Sequence, residues 1–280
     1  MLSRKDLPAS YQEWNQRWGA PYGHAAIEVM RATGSDTPPA HLVKRALQNP
    51  ADQSFGPFAF QYASGTRVFE YPWAYHAADI QPGQRVLDIG GGLSGLQFVL
   101  DLCGCQVVNV DPSARPDYNR WTGENYINIT PKRHQELNEA LGTSVTLVGD
   151  FLQDAKLEPE SFDRAFCLST LEHCSPEEAA QMLRSAEDCL RPGGLLVLTV
   201  DLFLDLEPFG VLTQNRWGVN HDLSALIGQT GLELTAGRPD ELLGFPEFDR
   251  ARVVAALPEL LVSWSYPVIS QTLVLRRPLA

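Results

Sequence analysis

Three carboxylates accompany apolar runs of the kind that form buried strands. Asp88 lies near the end of the first run, directly before a group of glycines, while Asp111 follows the second run and Asp150 the third. Asp111 comes about 20 residues after the first glycine, which is the spacing of an acid that binds the ribose hydroxyls of an adenosine. The position of Asp111 therefore predicts an adenosine site at the ends of neighbouring strands.

A glycine-rich turn connects the first strand to a helix. The apolar run Val86–Ile89 stops at Gly90, and an apolar pattern resumes at Leu96–Leu100. Gly90, Gly92 and Gly95 have the G-x-G-x-x-G spacing. In that motif one glycine makes the turn, one lets a ligand touch the backbone, and one lets the helix pack on the strand. The pattern predicts strand, tight turn and helix around a ligand.

The middle of the chain continues to alternate strands with helices. Phe162–Ser169 predicts a fourth strand, and Leu195–Val200 predicts a fifth that is buried on both faces. Between them, Ser175 begins a helix with the residues of a capping box. Arg191–Gly194 predicts the turn that ends this helix. Such alternation predicts a doubly wound α/β sheet.

The order and spacing of these segments resemble those of the class I S-adenosylmethionine-dependent methyltransferases of small molecules. The matching segments lie in the family's order over roughly residues 67 to 200 and are VLDIGGGLSG, VVNVD, VGDF, FDRAFCLSTLEHC and LRPGGLLVLTV. The later segments GQTGLELTAG and QTLVLRR resemble the family's last two strands. The resemblance implies a Rossmann-like sheet of seven strands, mostly parallel, with the last strand reversed.

The resemblance also implies where S-adenosylmethionine binds. The glycine turn is expected to hold the methionine part, Asp111 the ribose, and Asp150 with Phe151 the adenine. Tyr71 or Trp73 is expected to face the sulfonium cation with its ring. For Asp150 the alternative role is to cap a turn, and for the two rings it is packing under the sheet. The implied cofactor-binding residues are Tyr71, Asp88, Gly90, Gly91, Gly92, Gly95, Asp111, Asp150, Phe151, Leu168 and Ser169.

Two histidines are the predicted catalytic residues. Methyl transfer from a sulfonium is an in-line displacement, which requires oriented reactants rather than a metal or a covalent nucleophile. A hydroxyl acceptor additionally needs a base to take its proton. His173 lies just past the fourth strand, and His221 lies just past the connection that follows the fifth. For each, the alternative role is structural; His173, for example, is close enough to Ser175 to bind the backbone there.

The chain divides into a predicted cap and a predicted core. Residues 1–66 are rich in aromatic side chains and predict a helical cap or lid whose rings pack on the core or face the substrate. Residues 67–280 predict the S-adenosylmethionine-binding core, with insertions at 112–144, 201–220 and 240–262. Because the connection 201–220 follows a strand at the ligand-binding edge of such sheets, we expect it to line the substrate cavity.

The composition limits the partners and the compartment. The chain has 280 residues, and its 22 Lys and Arg against 34 Asp and Glu give a net charge of −12, so a nucleic acid would be repelled. The first residues lack the apolar core of a signal peptide and no run approaches a membrane span, so we expect a cytoplasmic protein without a membrane partner. Five scattered cysteines agree with a reducing compartment, and Cys103 and Cys105 lack a second pair at zinc spacing, so no metal is expected. The sequence does not indicate an oligomeric state.

These observations together predict methyl transfer to a small molecule. The aromatic cap, the 201–220 connection and the acidic charge favour an enclosed site over an open groove for a polymer. Because histidines occur on both cleft-forming segments, the predicted acceptor is a hydroxyl of a secondary metabolite or sugar-like compound. The alternatives are nitrogen or carbon methylation, a nicotinamide-dependent oxidoreductase, and a non-catalytic protein that binds the cofactor.

Overall fold

The computed structural model describes residues 1–19, 57–58, 65–115, 118, 130–263 and 266–279, and every structural statement below concerns these residues. Most of the predicted cap at 1–66 lies outside them. The described strands are β1 (Arg85–Ile89), β2 (Gln106–Val110), β3 (Thr146–Val148), β4 (Phe162–Leu168), β5 (Leu190–Phe203), β6 (Glu233–Ala236) and β7 (Val268–Arg276). The described α-helices are α1 (Ala9–Trp18), α2 (Arg67–Ala77), α3 (Gly95–Leu102), α4 (Pro131–Leu141), α5 (Pro176–Cys189), α6 (Leu223–Ile227) and α7 (Arg250–Ala256).

The strands form a seven-stranded mixed sheet in the order β3-β2-β1-β4-β5-β7-β6. β1 pairs in parallel with β2, β2 with β3, and β4 with β5. β7 runs antiparallel to both β5 and β6. The structure confirms the predicted doubly wound α/β sheet of seven strands with a reversed last strand.

The chain forms two compact units, which are described separately. The glycine-turn unit comprises Pro8–Ala63 and Ile80–Ala155 and contains β1 to β3. The acid-cluster unit comprises Met1–Leu7, Ser64–Asp79 and Lys156–Ala280 and contains β4 to β7.

In the glycine-turn unit, local signals in the sequence determine where the helices begin and end. Ser94 caps α3, because its Oγ accepts a hydrogen bond from Leu96 N at 3.2 Å. Thr130 caps α4 in the same way, and α4 ends at Gly142, which has a φ of 69°. Packing also limits side-chain size, since a Cβ on Gly95 would lie 2.6 Å from the Phe58 ring. Gly95 therefore allows the Phe58 ring to pack closely against the start of α3.

In the acid-cluster unit, β7 is the central packed strand. Its residues from Val268 to Leu275 are all buried, and it pairs with β5 along nine positions. Leu202 and Ile269 on these strands form one apolar cluster with Leu2, Val253 and Leu260. The predicted insertion 240–262 thus packs on the sheet through α7, which carries Val253.

Two local structures differ from the sequence prediction. Because a proline inside a helix removes a backbone donor, Pro72 in the sequence predicts an interruption, but α2 continues through it. A proline inside a helix costs about 3 kcal/mol, and burial of Phe69, Tyr71 and Trp73 around it offsets that cost at about 1.5–3 kcal/mol each. The predicted turn at Arg191–Gly194 is extended and belongs to β5, because Gly193 N and Gly194 O both hydrogen-bond to the Arg277 backbone at 2.9 Å.

Candidate functional site

The glycine turn between β1 and α3 has a backbone conformation that residues with a Cβ atom do not readily adopt. Gly90 and Gly92 have φ values of 68° and 55°, in the left-handed region that glycine adopts freely. A Cβ on Gly91 would lie 2.3 Å from Asp88 Oδ2. The turn therefore requires glycine at three consecutive positions, and Asp88 lies directly against it.

Buried amide side chains hold this turn in place. Gln97 Nε2 donates to Gly92 O at 3.1 Å and to Ser94 O at 3.0 Å. Asn109 Nδ2 donates to Gly92 O at 2.8 Å and to Gln97 Oε1 at 2.9 Å. Burial lowers the pKa of His134 to about 4, so its ring is neutral at pH 7, and its Nε2 lies 2.9 Å from the same Gln97 oxygen. Sequence reasoning missed this support, although a glutamine within the apolar run of α3 was a signal for it.

Asp111 presents a carboxylate that the backbone already orients. Gly92 N donates to its Oδ2 at 2.8 Å, and Ser113 N donates to its Oδ1 at 2.8 Å. Burial raises the pKa of Asp111, whereas these two hydrogen bonds lower it. Each oxygen has capacity for one further hydrogen bond, so the carboxylate can accept from two neighbouring hydroxyls.

Asp88 differs from Asp111 in having no partner for one of its oxygens. Its Oδ2 is buried and makes no hydrogen bond within the described part of the chain. Burial, together with the charge of nearby Asp111, raises the pKa of Asp88 to about 7. Asp88 therefore carries a proton for much of the time near neutral pH.

Asp150 and Phe151 follow β3 at the edge where Asp111 follows β2. The two strands are parallel neighbours, and Asp111 N donates to Val148 O at 3.0 Å. Asp150 Oδ1 accepts from Arg115 Nη1 and from Phe151 N, each at 3.0 Å. The Arg115 guanidinium also lies 5.7 Å from the centre of the Phe151 ring. Within the glycine-turn unit, the structure thus brings the predicted ribose and adenine residues to one edge.

The acid-cluster unit contains a second group of buried polar side chains, which we call the acid cluster. Arg67 Nη1 donates to Glu70 Oε2 and to Ser169 Oγ. Ser169 Oγ lies 3.3 Å from Asp201 Oδ1, and Tyr266 Oη donates to Asp201 Oδ2 at 3.3 Å. The members of the acid cluster are Arg67, Glu70, Ser169, Glu172, Thr199, Asp201 and Tyr266.

The acid cluster, as defined, contains three carboxylic acids and one guanidinium. Burial raises the pKa of Glu172 to about 8, with Arg67 opposing the rise. Burial also raises the pKa of Asp201, and the charges of Glu172 and Glu70 add to that rise. The pKa of Arg67 lies well above its usual value although burial acts to lower it, because Glu70 and other nearby groups raise it. With a pKa of about 8, Glu172 is mostly protonated at neutral pH.

The backbone around Ser169 and Glu172 is closely fixed. Ser169 has a φ of 46°, which is costly for a residue other than glycine, and its amide donates to Thr199 O at 2.8 Å. In the connection after β5, Val219 N donates to Glu172 O at 3.0 Å. A Cβ on Gly218 would lie only 1.8 Å from that same oxygen. The predicted cavity-lining segment 201–220 thus packs directly on the backbone of Glu172.

Three predicted cofactor contacts lie in the acid-cluster unit. Tyr71 is buried, with its ring centre 5.8 Å from the Arg67 guanidinium. Leu168 is the last residue of β4, and Ser169 follows it as a member of the acid cluster. The structure thus brings Tyr71 and Ser169 to Arg67, while the contact of all three with a cofactor stays a prediction.

The two predicted catalytic histidines have different surroundings. His173 is partly buried, and its Nδ1 lies 2.6 Å from Trp217 O, so Nδ1 carries a proton and the basic lone pair is on Nε2. His221 is only 3% exposed, and its Nε2 donates to Leu171 O at 2.7 Å. Burial lowers the pKa of His221. His221 thus supports the short helix Leu171–His173, which carries the first histidine.

Sequence reasoning did not single out Arg67, Glu70, Glu172 or Asp201. Asp201 lies near the end of β5 in the same way that Asp88 lies near the end of β1, so the strand-end argument could have identified it. Arg67 and Glu70 are three residues apart on α2, a spacing that places them on one helix face. Nothing local in the sequence indicates that these elements share partners.

The described residues show neither a metal centre nor a membrane span. No group of three or more His, Cys, Asp or Glu among them is arranged to hold a metal ion. None of the described helices is long and apolar enough to cross a bilayer.

Comparison with known proteins supports the resemblance to methyltransferases. Residues 87–198 match the family model described as methyltransferase domain. An uncharacterized methyltransferase of Geobacillus kaustophilus is 31% identical over 143 residues, which cover 51% of this chain and 59% of that protein. The match thus spans less than two thirds of the length of that relative.

Solved structures show the same fold. The (4+2)-cyclase SpnF superposes with a TM-score of 0.56 at 15% identity, covering 100% of both chains. A candidate methyltransferase of Bacillus halodurans superposes with a TM-score of 0.53 at 16% identity, covering 75% of this chain and 99% of that one. The predicted resemblance is confirmed: residues 87–198 are similar to the methyltransferase domain family, and the chain has the Rossmann-like fold of these solved structures.

Proposed function

We propose that this protein is an S-adenosylmethionine-dependent methyltransferase that acts on a small molecule. The observation that carries the proposal is the hydrogen bond from Gly92 N to Asp111 Oδ2, which joins the glycine turn to the strand-end acid. Both residues lie in the segment that matches the methyltransferase domain. The pair supports the proposal because it combines a close backbone approach with a carboxylate suited to a ribose diol.

The residues of the glycine-turn unit fit the proposed cofactor. Asp111 accepts the two ribose hydroxyls with the capacity that its backbone hydrogen bonds leave. The Phe151 ring offers a face for the adenine, and Asp150 offers oxygens for its amino group. Gly90 and Gly92 give the turn its left-handed backbone, and the resemblance assigns this turn to the methionine part of the cofactor. Tyr71, Leu168 and Ser169 lie in the acid-cluster unit, and their contact with the cofactor is a separate prediction.

S-adenosylmethionine supplies an electrophilic methyl group on a sulfonium sulfur. The chain has to hold the acceptor in line with that methyl group and keep water away, which is worth roughly 7–11 kcal/mol when orientation is good. A hydroxyl acceptor must lose its proton as it attacks. We assign this proton to His173, because the Trp217 carbonyl fixes the tautomer that has its lone pair on Nε2. His221 is the second candidate.

The histidines and the net charge of the chain are the basis for the proposed acceptor. A hydroxyl of a secondary metabolite or sugar-like compound is proposed because a histidine adjoins each of the segments expected to line the cleft. The net charge of −12 supports a small molecule over a nucleic acid. We also propose the cytoplasm as the compartment, in agreement with the five scattered cysteines.

Two measurements test the proposal. Thermal unfolding of the full chain is recorded with S-adenosylmethionine, S-adenosylhomocysteine, NAD or NADP. We expect the first two to raise Tm and the nicotinamides to leave it unchanged, since a ligand that binds the folded state stabilises it. Incubation of cell extract with the protein and methyl-labelled cofactor then identifies the product by mass spectrometry. A rise in Tm with the nicotinamides alone, or label found only in protein or RNA, would contradict the proposal.

A further inference from the structure

The acid cluster has more hydrogen-bond acceptors than donors. Its carboxylates are Glu70, Glu172 and Asp201. In the described part of the chain, Glu70 Oε1 and both oxygens of Glu172 are buried and have no hydrogen-bond partner. The single hydroxyl proton of Ser169 lies within reach of Glu70 and of Asp201, and it can serve only one of them at a time. Three carboxylate oxygens therefore lack donors.

Neither Glu70 nor Glu172 can accept the missing hydrogen bonds from solvent. Glu70 and Glu172 are both 0% exposed. The other oxygen of Glu70 is bound to Arg67, and Gly218 and Val219 pack against the backbone of Glu172. Burying a polar group without a partner costs about 1–3 kcal/mol, and more when the group is charged. Such an arrangement persists where another molecule supplies the missing donors.

Protonation alone does not satisfy these oxygens. A proton on Glu172 removes its charge, but no described group lies in hydrogen-bonding position to accept that proton. Glu70 Oε1 lacks a donor in either case. A metal ion is also a poor match, because the described residues contain no group of three His, Cys, Asp or Glu that could hold one.

We propose that the acid cluster binds a positively charged nitrogen of the acceptor molecule, an organic ammonium group. This inference rests on the proposed function and adds the substrate class. An ammonium group brings three N–H donors and one positive charge, which match the three oxygens without donors.

The position of Glu172 connects this site to the proposed chemistry. Glu172 and His173 are consecutive residues of the short helix Leu171–His173. A molecule held by its nitrogen at Glu172 therefore has its other groups near His173. The site recognises the substrate and requires no covalent step, so it agrees with a hydroxyl as the methylated group.

Thermal unfolding of the full chain with simple ammonium salts tests the inference. The probes are methylammonium and benzylammonium chloride, compared with sodium chloride at equal ionic strength and with benzyl alcohol as the neutral analogue. We expect both ammonium salts to raise Tm, and benzyl alcohol to leave it unchanged. Glu172→Gln keeps the shape of the side chain but cannot ionise to pair with the cation, and it should weaken the apparent affinity for benzylammonium by about 10- to 100-fold. The matched control is Glu233→Gln, an exposed acid on β6, which should behave as wild type.

The inference is overturned if the ammonium salts raise Tm no more than sodium chloride, or if Glu172→Gln responds as wild type does. Asp201→Asn provides a second neutral variant if Glu172→Gln does not fold, and it must weaken the response to benzylammonium. Calorimetry with S-adenosylmethionine separates the two proposals. A chain that binds this cofactor but no ammonium loses only the present inference. A chain that binds the ammonium salts but not the cofactor contradicts the proposed function.

Discussion

Asp111 and Glu172 are both buried carboxylates, but they are stabilised in different ways. Asp111 receives one backbone N–H on each oxygen, from Gly92 and Ser113. Among the residues that the structure describes, none donates a hydrogen bond to either oxygen of Glu172, and burial raises its pKa to about 8. The first acid is held ready as an acceptor within the folded chain. The oxygens of Glu172 can still accept hydrogen bonds from a ligand.

This difference separates two kinds of site. In the glycine-turn unit the groups that orient the acid come from a local turn and are present before any ligand binds. In the acid-cluster unit the orienting groups are side chains from α2, β5 and the segment near Tyr266. These side chains offer fewer hydrogen-bond donors than the carboxylates can accept. We therefore expect the first site to change little on binding, and the second to gain stability from a cation.

The largest expected effect is on the acid cluster. Arg67→Met removes the guanidinium that binds Glu70 and leaves a buried carboxylate without its main donor. Breaking a buried ion pair in this way costs about 3–5 kcal/mol of the free energy of unfolding, measured with urea. Arg184→Met is the control, because Arg184 binds the neutral side chains of Gln181 and Gln229 at the surface. Adding Glu70→Gln to Arg67→Met should recover part of the loss. A loss below about 1 kcal/mol would show that the cluster does not depend on this pair.

A second effect concerns pH. The pKa of Glu172 is about 8 in the folded chain, whereas an unperturbed glutamate, as in the unfolded chain, has a pKa near 4.5. Between these values the unfolded chain loses this proton while the folded chain keeps it, so the free energy of unfolding falls as pH rises. Glu172→Gln should remove about 2–4 kcal/mol of that fall, measured by urea unfolding from pH 5 to pH 9. An unchanged pH profile in this variant would mean that Glu172 is ionised throughout.

A smaller effect is expected at the rim of the cluster. Tyr266→Phe removes the hydroxyl that donates to Asp201 Oδ2 and keeps the ring, which stacks on Trp217 with centroids 4.9 Å apart. We expect a loss of about 1–2 kcal/mol in the free energy of unfolding. Tyr75→Phe on α2 serves as the matched control and should cost less. Equal losses of unfolding free energy in the two variants would mean that the hydrogen bond to Asp201 adds no particular stability.

The comparison also explains how much could be predicted from sequence. The glycine turn, Asp111 and the caps at Ser94 and Ser175 depend on neighbours within a few residues or on one adjacent strand. Their spacing therefore predicts the geometry. Likewise, strands alternating with helices predicted the sheet, because each element buries an apolar face that its own pattern reveals.

The acid cluster could not be found in the same way. Glu70 and Asp201 are 131 positions apart in the sequence, and their common partner Ser169 lies between them on another strand end. Their individual environments look ordinary. Only the pairing of β4 with β5 and the packing of α2 bring them together, and neither follows from a local pattern. The continuation of α2 through Pro72 likewise depends on burial that spacing does not show.

The most direct test of the central claim is calorimetry of S-adenosylmethionine binding to the wild type and to Asp111→Asn. The amide keeps the size of the side chain but removes its charge and one acceptor. We expect binding to weaken by about 10- to 100-fold, since each charge-assisted hydrogen bond contributes about 1.5–3 kcal/mol. Asp154→Asn, an exposed acid of the same unit, should bind as the wild type does. Equal affinity in wild type and Asp111→Asn would contradict the assignment of Asp111 and the glycine turn as the cofactor site.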